Sequence, residues 1–182
     1  MIKKVGIGII GTGFARTTQI PAFQKVDGAF IASVASHSLE NARSTAELAG
    51  ASHFTADWRE TVAHPDVDLV CITTPPFHHN EMTLAALAND KHVLCEKPMA
   101  MNVAEAEEMC AAARGKDVLA VIDHELRFQD GRQKAFGILR EGKIGTIRHI
   151  KAFFRAPHRG DPNVAWNWWS DRSSGGGALG AI

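Results

Sequence analysis

The chain has 182 residues, 45% of them hydrophobic and 22% charged, with 20 lysines and arginines against 20 aspartates and glutamates, enough for one well-buried core and the length for a second, incomplete unit. The balanced charge offers no bulk attraction to nucleic acid or to an anionic membrane surface, so neither is expected as a partner. No apolar run approaches membrane-spanning length, and Met1-Ile2-Lys3-Lys4 leads straight into a strand pattern instead of a signal-peptide core, which predicts a cytoplasmic protein.

Strand-like and helix-like patterns then alternate. Val5–Ile10 reads as a first strand, followed by a helical pattern over residues 17–26, a strand over 30–35 and a helix over Leu39–Ala49. A short strand at 53–54, a helix near Trp58–Ala63 and a strand over 69–73, stopped by Pro75-Pro76, come next. A helix over 81–88, a strand over 93–95, a helix over Val103–Ala113 and a strand over 118–122 complete the series. This order predicts an α/β protein with a Rossmann-type, doubly wound parallel sheet covered on both faces. Further on, a helix over 129–141 closes at Gly142, and residues 147–154 read as another strand before the texture changes to Pro, Gly, Trp and Ser. The expected division places one domain at 1–124 and the incomplete start of a second α/β domain at 125–182.

A literal G-x-G-x-x-G match spans Gly6 to Gly11, but its interior is the first strand itself. Phosphate recognition needs the glycines at the turn between strand and helix, where amides and the helix dipole face a pyrophosphate. Gly11 and Gly13 occupy that turn with Phe14 and Ala15, and the third fingerprint position falls on Arg16, placed near the helix start to reach a phosphate. A dinucleotide site selective for NAD has an acidic residue about 20 residues further on. Here that stretch is Ser36-His37-Ser38, with Arg43 one turn past Glu40, which leaves donors for a 2′-phosphate and makes NADP the preferred cofactor, NAD the other. Ser38 equally serves as a cap for the next helix.

Glu96-Lys97-Pro98 ends the apolar run His92-Val93-Leu94-Cys95. A lysine at the carboxyl end of a parallel strand is where a hydride-transfer enzyme places an acid/base group, able to hold a substrate hydroxyl and to stabilise developing negative charge. The plainer alternative is a lysine that pairs with Glu96 and fixes the turn before Pro98. Other chemistries are struck out by absence. There is no tyrosine for a Tyr-Lys proton relay, no G-x-x-x-x-G-K-[ST] loop and no G-x-S-x-G elbow, and after His124-Glu125 the second histidine of H-E-x-x-H falls on Phe128. The adjacent His78-His79 pair diverges, so no metal is expected. Cys71, Cys95 and Cys110 lack metal-ligand spacing and read as reduced thiols in packing roles.

Thr74-Pro75-Pro76-Phe77-His78-His79 resembles the T-P-x-x-x-H segment, and Glu96-Lys97-Pro98 the E-K-P segment, of the Gfo/Idh/MocA family, which includes glucose-fructose oxidoreductase and inositol dehydrogenase. His124-Glu125-Leu126-Arg127-Phe128, Glu141-Gly142-Lys143-Ile144-Gly145, Trp166-Asn167-Trp168-Trp169 and Gly175-Gly176-Gly177-Ala178-Leu179-Gly180 continue the likeness in order across the chain. The resemblance implies a nicotinamide site near Thr74, Pro75, His79, Glu96 and Lys97, a cis Lys97-Pro98 bond, and a second domain whose open sheet covers the substrate and makes oligomers. It implies an NAD(P)-dependent oxidoreductase acting on a sugar, polyol or related alcohol or ketone. A cofactor-binding regulatory or sensor module without turnover is the alternative. His124, Arg127 and Trp168 are candidates for substrate contact, with hydrogen bonding between domains or packing as their plainer roles. The likeness departs at the end: Ala181 occupies the position of the family's aspartate, and Ile182 is reached before its histidine. Residues 1–182 are therefore expected to bind cofactor and turn over little.

Overall fold

The computed structural model describes residues 4–153, 155 and 161–177. Six strands, β1 (Val5–Ile10), β2 (Ala29–Ala35), β3 (His53–Thr55), β4 (Leu69–Ile72), β5 (His92–Glu96) and β6 (Ala120–Asp123), form one sheet in the order β3-β2-β1-β4-β5-β6. Every neighbouring pair is parallel. The crossovers are carried by α1 (Ile20–Phe23), α2 (Leu39–Ala49), α3 (Trp58–Ala63), α4 (His79–Ala88) and α5 (Val103–Ala113). The winding reverses between β1 and β4, and such a reversal opens a crevice above the carboxyl ends of the strands.

Burial on both faces explains why the central strands read as apolar runs. Ile10, Val70, Ile72, Met82, Val93 and Cys95 pack on one side, and Ile7, Ile9, Ala15, Ile20, Val34 and Cys71 on the other. Gly6 and Gly8 lie inside β1, as expected of the misleading glycine run. A Cβ on Gly6 would fall 1.7 Å from the Asp66 carbonyl oxygen, and one on Gly8 2.7 Å from Thr61 Cγ2. Their absent side chains let the β4 approach and α3 press against the strand.

Helix starts follow their caps. Ser38 Oγ accepts from Asn41 N–H, Asp57 Oδ1 from Arg59 N–H, and Asn102 Oδ1 from Glu105 N–H, each satisfying an amide that has no partner within its helix. The expected helix over 17–26 is replaced by a π turn, Ala15–Gln19, running into the short α1. Pro21 has no N–H for the Thr17 carbonyl and its ring crowds that oxygen, so the ladder slips and Ile20 N–H bonds to Ala15 O.

The chain divides into two compact units, one running to Asp123 and resuming at Trp168, the other comprising His124–Asn167. The second contains a 3₁₀ turn, Glu125–Phe128, and α6 (Asp130–Arg140), beyond which Gly142 takes a left-handed φ of 68°. The strand expected over 147–154 does not form at residues 147–153, and Phe154 lies outside the described residues. A strand exists only against a neighbour, and among the described residues none pairs with this segment. Also among the described residues, no helix is long and apolar enough to cross a membrane.

Gly6→Ala is expected to cost about 2–3 kcal/mol of stability through overpacking, measured as the shift in urea midpoint at unchanged m-value.

Candidate functional site

The parallel strands deliver their following residues to one edge of the sheet, and three stitched clusters form there. At the β1 turn, Gly11 has φ 96°, its N–H donates to Ala35 O at 2.9 Å, and a Cβ would lie 2.8 Å from the Thr73 backbone. The Thr73 hydroxyl donates to Gly11 O at 2.8 Å and reaches Ile10 O at 3.1 Å. Gly11 is thus a glycine on two grounds, conformation and contact. Gly13 satisfies neither: its φ is not left-handed, and a Cβ would meet nothing within 4 Å. Such open space above the first amides of a helix fits the close approach of a phosphate.

Ala15 is wholly buried against Ile7 and Ile9. It supplies the close helix–strand packing one residue before Arg16, which explains how an arginine is tolerated at the third fingerprint position. Phe14 and Arg16 are exposed, and Arg16 Nη1 crosses to Ser44 Oγ on α2 at 3.1 Å. At the β2 end, Ser36 Oγ lies 3.4 Å from Thr12 Oγ1, His37 is exposed, and Arg43 Nη2 donates to Glu40 Oε2 at 2.6 Å. Arg16 and Arg43 therefore both place cationic groups against the first two turns of α2.

The second cluster was not legible in the sequence. Glu96 and Asp123 are register partners at the ends of β5 and β6, and the buried Gln19 joins them, its Nε2 donating to Asp123 Oδ2 at 3.1 Å and to Glu96 Oε1 at 3.4 Å. Glu96 Oε2 also accepts from the backbone N–H of Lys97 at 3.3 Å, which ties the carboxylate to the half-buried lysine that follows it. Gln19 and Asp123 come together only through the π turn and the sheet order, neither of which has a local motif. Burial, then the charges of Asp123 and Glu96, push the Cys71 thiol far up, and burial foremost raises Cys95 to about 12. Both stay protonated packing thiols, whereas Cys110 is exposed.

The third cluster joins the loops after β4 and β5. Thr74 and Pro75 are half-buried and lead through a 3₁₀ turn, Pro76–His78, into α4. His79, the first residue of α4, is fully buried, with Nδ1 2.8 Å from Pro98 O and Nε2 2.9 Å from Thr74 O. Its ring is therefore enclosed between those two carbonyls and presents no exposed face. The Lys97-Pro98 bond is cis. Gly175, at φ 83°, sits so near Pro76 that a Cβ would fall 2.6 Å from that ring's Cβ and 2.8 Å from Met101 Sδ, so the segment from Trp168 returns to this region. Trp168 is 39% exposed and meets Trp169 edge-on at 5.4 Å. His124 and Arg127 belong to the second unit, where Arg127 lies over the Phe128 ring at 5.6 Å. Among the described residues, no group of three or more His, Cys, Asp or Glu is placed to hold a metal ion.

Burial holds His79 below the ordinary imidazole value, with its two carbonyl contacts pulling the other way and His78 adding to the depression. The neutral form is thus favoured in the folded state, and the unfolded chain binds the proton first as pH falls. Stability is full above the ordinary imidazole pKa and declines below it, by at most about 1.4 kcal/mol per pH unit until the folded-state value is reached. Urea midpoints between pH 7.5 and 5.5 should fall less steeply in His79→Gln than in the wild type. Gly13→Ala should leave the urea midpoint unchanged or slightly raised, since alanine favours the helix by about 1 kcal/mol, while weakening any dinucleotide about tenfold or more in a fluorescence titration.

Residues 5–124 match the model of the oxidoreductase family with an NAD-binding Rossmann fold, Gfo/Idh/MocA. The chain is 36% identical over 176 residues to an uncharacterized oxidoreductase of Synechocystis, covering 97% of this chain and 47% of that protein. It is 29% identical to the levoglucosan dehydrogenase of Pseudarthrobacter phenanthrenivorans, covering 100% of this chain and 49% of the relative. A levoglucosan dehydrogenase structure in complex with NADH superposes with a TM-score of 0.82 at 28% identity, over 99% of this chain and 51% of that one. KijD10, a 3-ketoreductase of Actinomadura kijaniata in complex with NADP, gives 0.73 at 27% identity over 80% and 47%. The chain spans about half the length of the curated relatives it matches.

Proposed function

The chain belongs to the Gfo/Idh/MocA oxidoreductase family, and on that premise we propose that it binds NAD(P) and serves hydride transfer to or from a sugar, polyol or related alcohol or ketone. The observation that carries the reading is the pairing of an open-spaced Gly13 at the β1 turn with Lys97 at the end of β5, on either side of the β1/β4 reversal. The cofactors in the levoglucosan dehydrogenase and KijD10 structures, and the dehydrogenase and reductase names of these relatives, favour turnover over a purely regulatory module.

In this reading the Gly11–Gly13 turn and the helix amides beyond it take the pyrophosphate. Ser36, His37, Arg16 and Arg43 receive the ribose end, where Ser36-His37-Ser38 carries no carboxylate against a 2′-phosphate and the Glu40 carboxylate is paired with Arg43. The bound nicotinamide supplies the hydride chemistry. Lys97 holds the substrate oxygen and steadies the charge that develops on it, while Glu96, fixed by Gln19 and by the Lys97 N–H, orients the turn that presents the lysine. Trp168, His124 and Arg127 are assigned to the substrate side, and residues 125–182 to the opening of a substrate and oligomer domain. The protein acts in the cytoplasm in this account.

NADP(H) is expected to bind at least as tightly as NAD(H) in calorimetric titration, and Arg16→Ala with Arg43→Ala to reduce NADPH affinity selectively. A tenfold preference for NADH, about 1.4 kcal/mol, would sink the assignment. Lys97→Met should keep cofactor affinity within about threefold while lowering polyol-dependent NADP⁺ reduction by about 10²-fold or more. That assay is run on the chain extended through the following domain. Residues 1–182 alone, with Ala181 at the aspartate position, should show little turnover, and equal activity of the two lengths would overturn that expectation.

A further inference from the structure

We propose that His79 is a positioning residue of the nicotinamide half of the crevice, setting the Thr74 and Pro98 loops from behind and touching no ligand itself. The β4–β5 ladder ends at the Ile72–Cys95 pair. Past that point no backbone hydrogen bond among the described residues joins 73–78 to 96–101, yet these two loops carry Thr74 and Lys97. The His79 ring spans the gap. It is wholly buried at the start of α4, with one nitrogen 2.8 Å from Pro98 O and the other 2.9 Å from Thr74 O. Carbonyl oxygens only accept, so whichever ring nitrogen carries the proton makes the bond, and exchange between the two tautomers lets one neutral ring serve both loops in turn. Pro98 directly follows Lys97, so a ring that fixes the Pro98 carbonyl also limits where the lysine stem begins. A histidine fits the gap because its two nitrogens sit on opposite sides of a rigid five-membered ring, and a flexible side chain ordered in the same place would lose more rotamer freedom.

Two substitutions separate the halves of the tie. His79→Asn keeps a donor near the Nδ1 position, facing Pro98, and His79→Gln keeps one near the Nε2 position, facing Thr74; His79→Leu keeps neither. In amide hydrogen exchange of the cofactor-free chain, His79→Leu should speed exchange in both 73–78 and 97–101, His79→Asn chiefly in 73–78, and His79→Gln chiefly in 97–101. NADPH affinity, which rests on the cofactor reading above, should fall about tenfold or more in His79→Leu and stay within about threefold in His79→Gln, which retains the hold on the Thr74 loop. A folded His79→Leu with unchanged exchange in both loops overturns the proposal. So do Asn and Gln variants that expose the same loops to the same degree, since the ring would then only fill space; this contrast also decides the matter if the leucine variant does not fold. The exchange pattern holding in a wild-type chain that binds neither NADPH nor NADH would leave the tie standing and overturn the cofactor reading instead.

Discussion

The contact between the β1 turn and the start of the β4 loop governs the arrangement of everything above the sheet. Thr73 N–H and its hydroxyl both reach the Ile10 carbonyl, the hydroxyl also reaches Gly11, and the glycine lacks the Cβ that would collide with Thr73. This stitch closes the point where the winding reverses, so it sets how far apart the β1 turn and the β4 and β5 loops stand. In the proposed function a turn assigned to a phosphate on one side and a lysine on the other serve one elongated ligand only if that spacing is constant.

Around this stitch the polar groups are satisfied in layers. Amides at helix starts are met by Ser38, Asp57 and Asn102, and the carboxylates ending β5 and β6 are met by Gln19. The two carbonyls past the β4–β5 ladder face His79. Each of these residues is buried or capping, and the role of Gln19 has no local motif to announce it. The caps fix the starts of α2, α3 and α5, while Gln19 and His79 contact Glu96 and the carbonyls of Thr74 and Pro98 in the segments that follow β4 and β5.

Much of the architecture was legible because the relevant signals are local. Apolar runs bounded by Gly and Pro marked the strands, and Leu39–Ala49 starts after Ser38, the cap that the sequence offers. Where local signals failed, a partner or a neighbouring proline was responsible. The apolar stretch at 147–153 has the composition of a strand but, among the described residues, no strand to pair with, and residues 17–26 have helical spacing interrupted by Pro21.

The sequence by itself determined the alternation of strands and helices, the placing of Gly6 and Gly8 inside β1 with Gly11 and Gly13 at the turn that follows it, and the placing of Lys97 at a strand end. These depend on spacing along the chain, on backbone freedom and on hydrophobic period, all read within a few residues. Only the tertiary structure decided that Ala15 takes over close packing from Arg16, that Gln19 bridges Glu96 and Asp123, and that His79 is buried between the Thr74 and Pro98 carbonyls. Those pairs lie up to 104 residues apart. They meet because parallel register and crossover handedness bring distant strand ends to one edge, and a constraint of that kind has no signature in any short stretch of sequence.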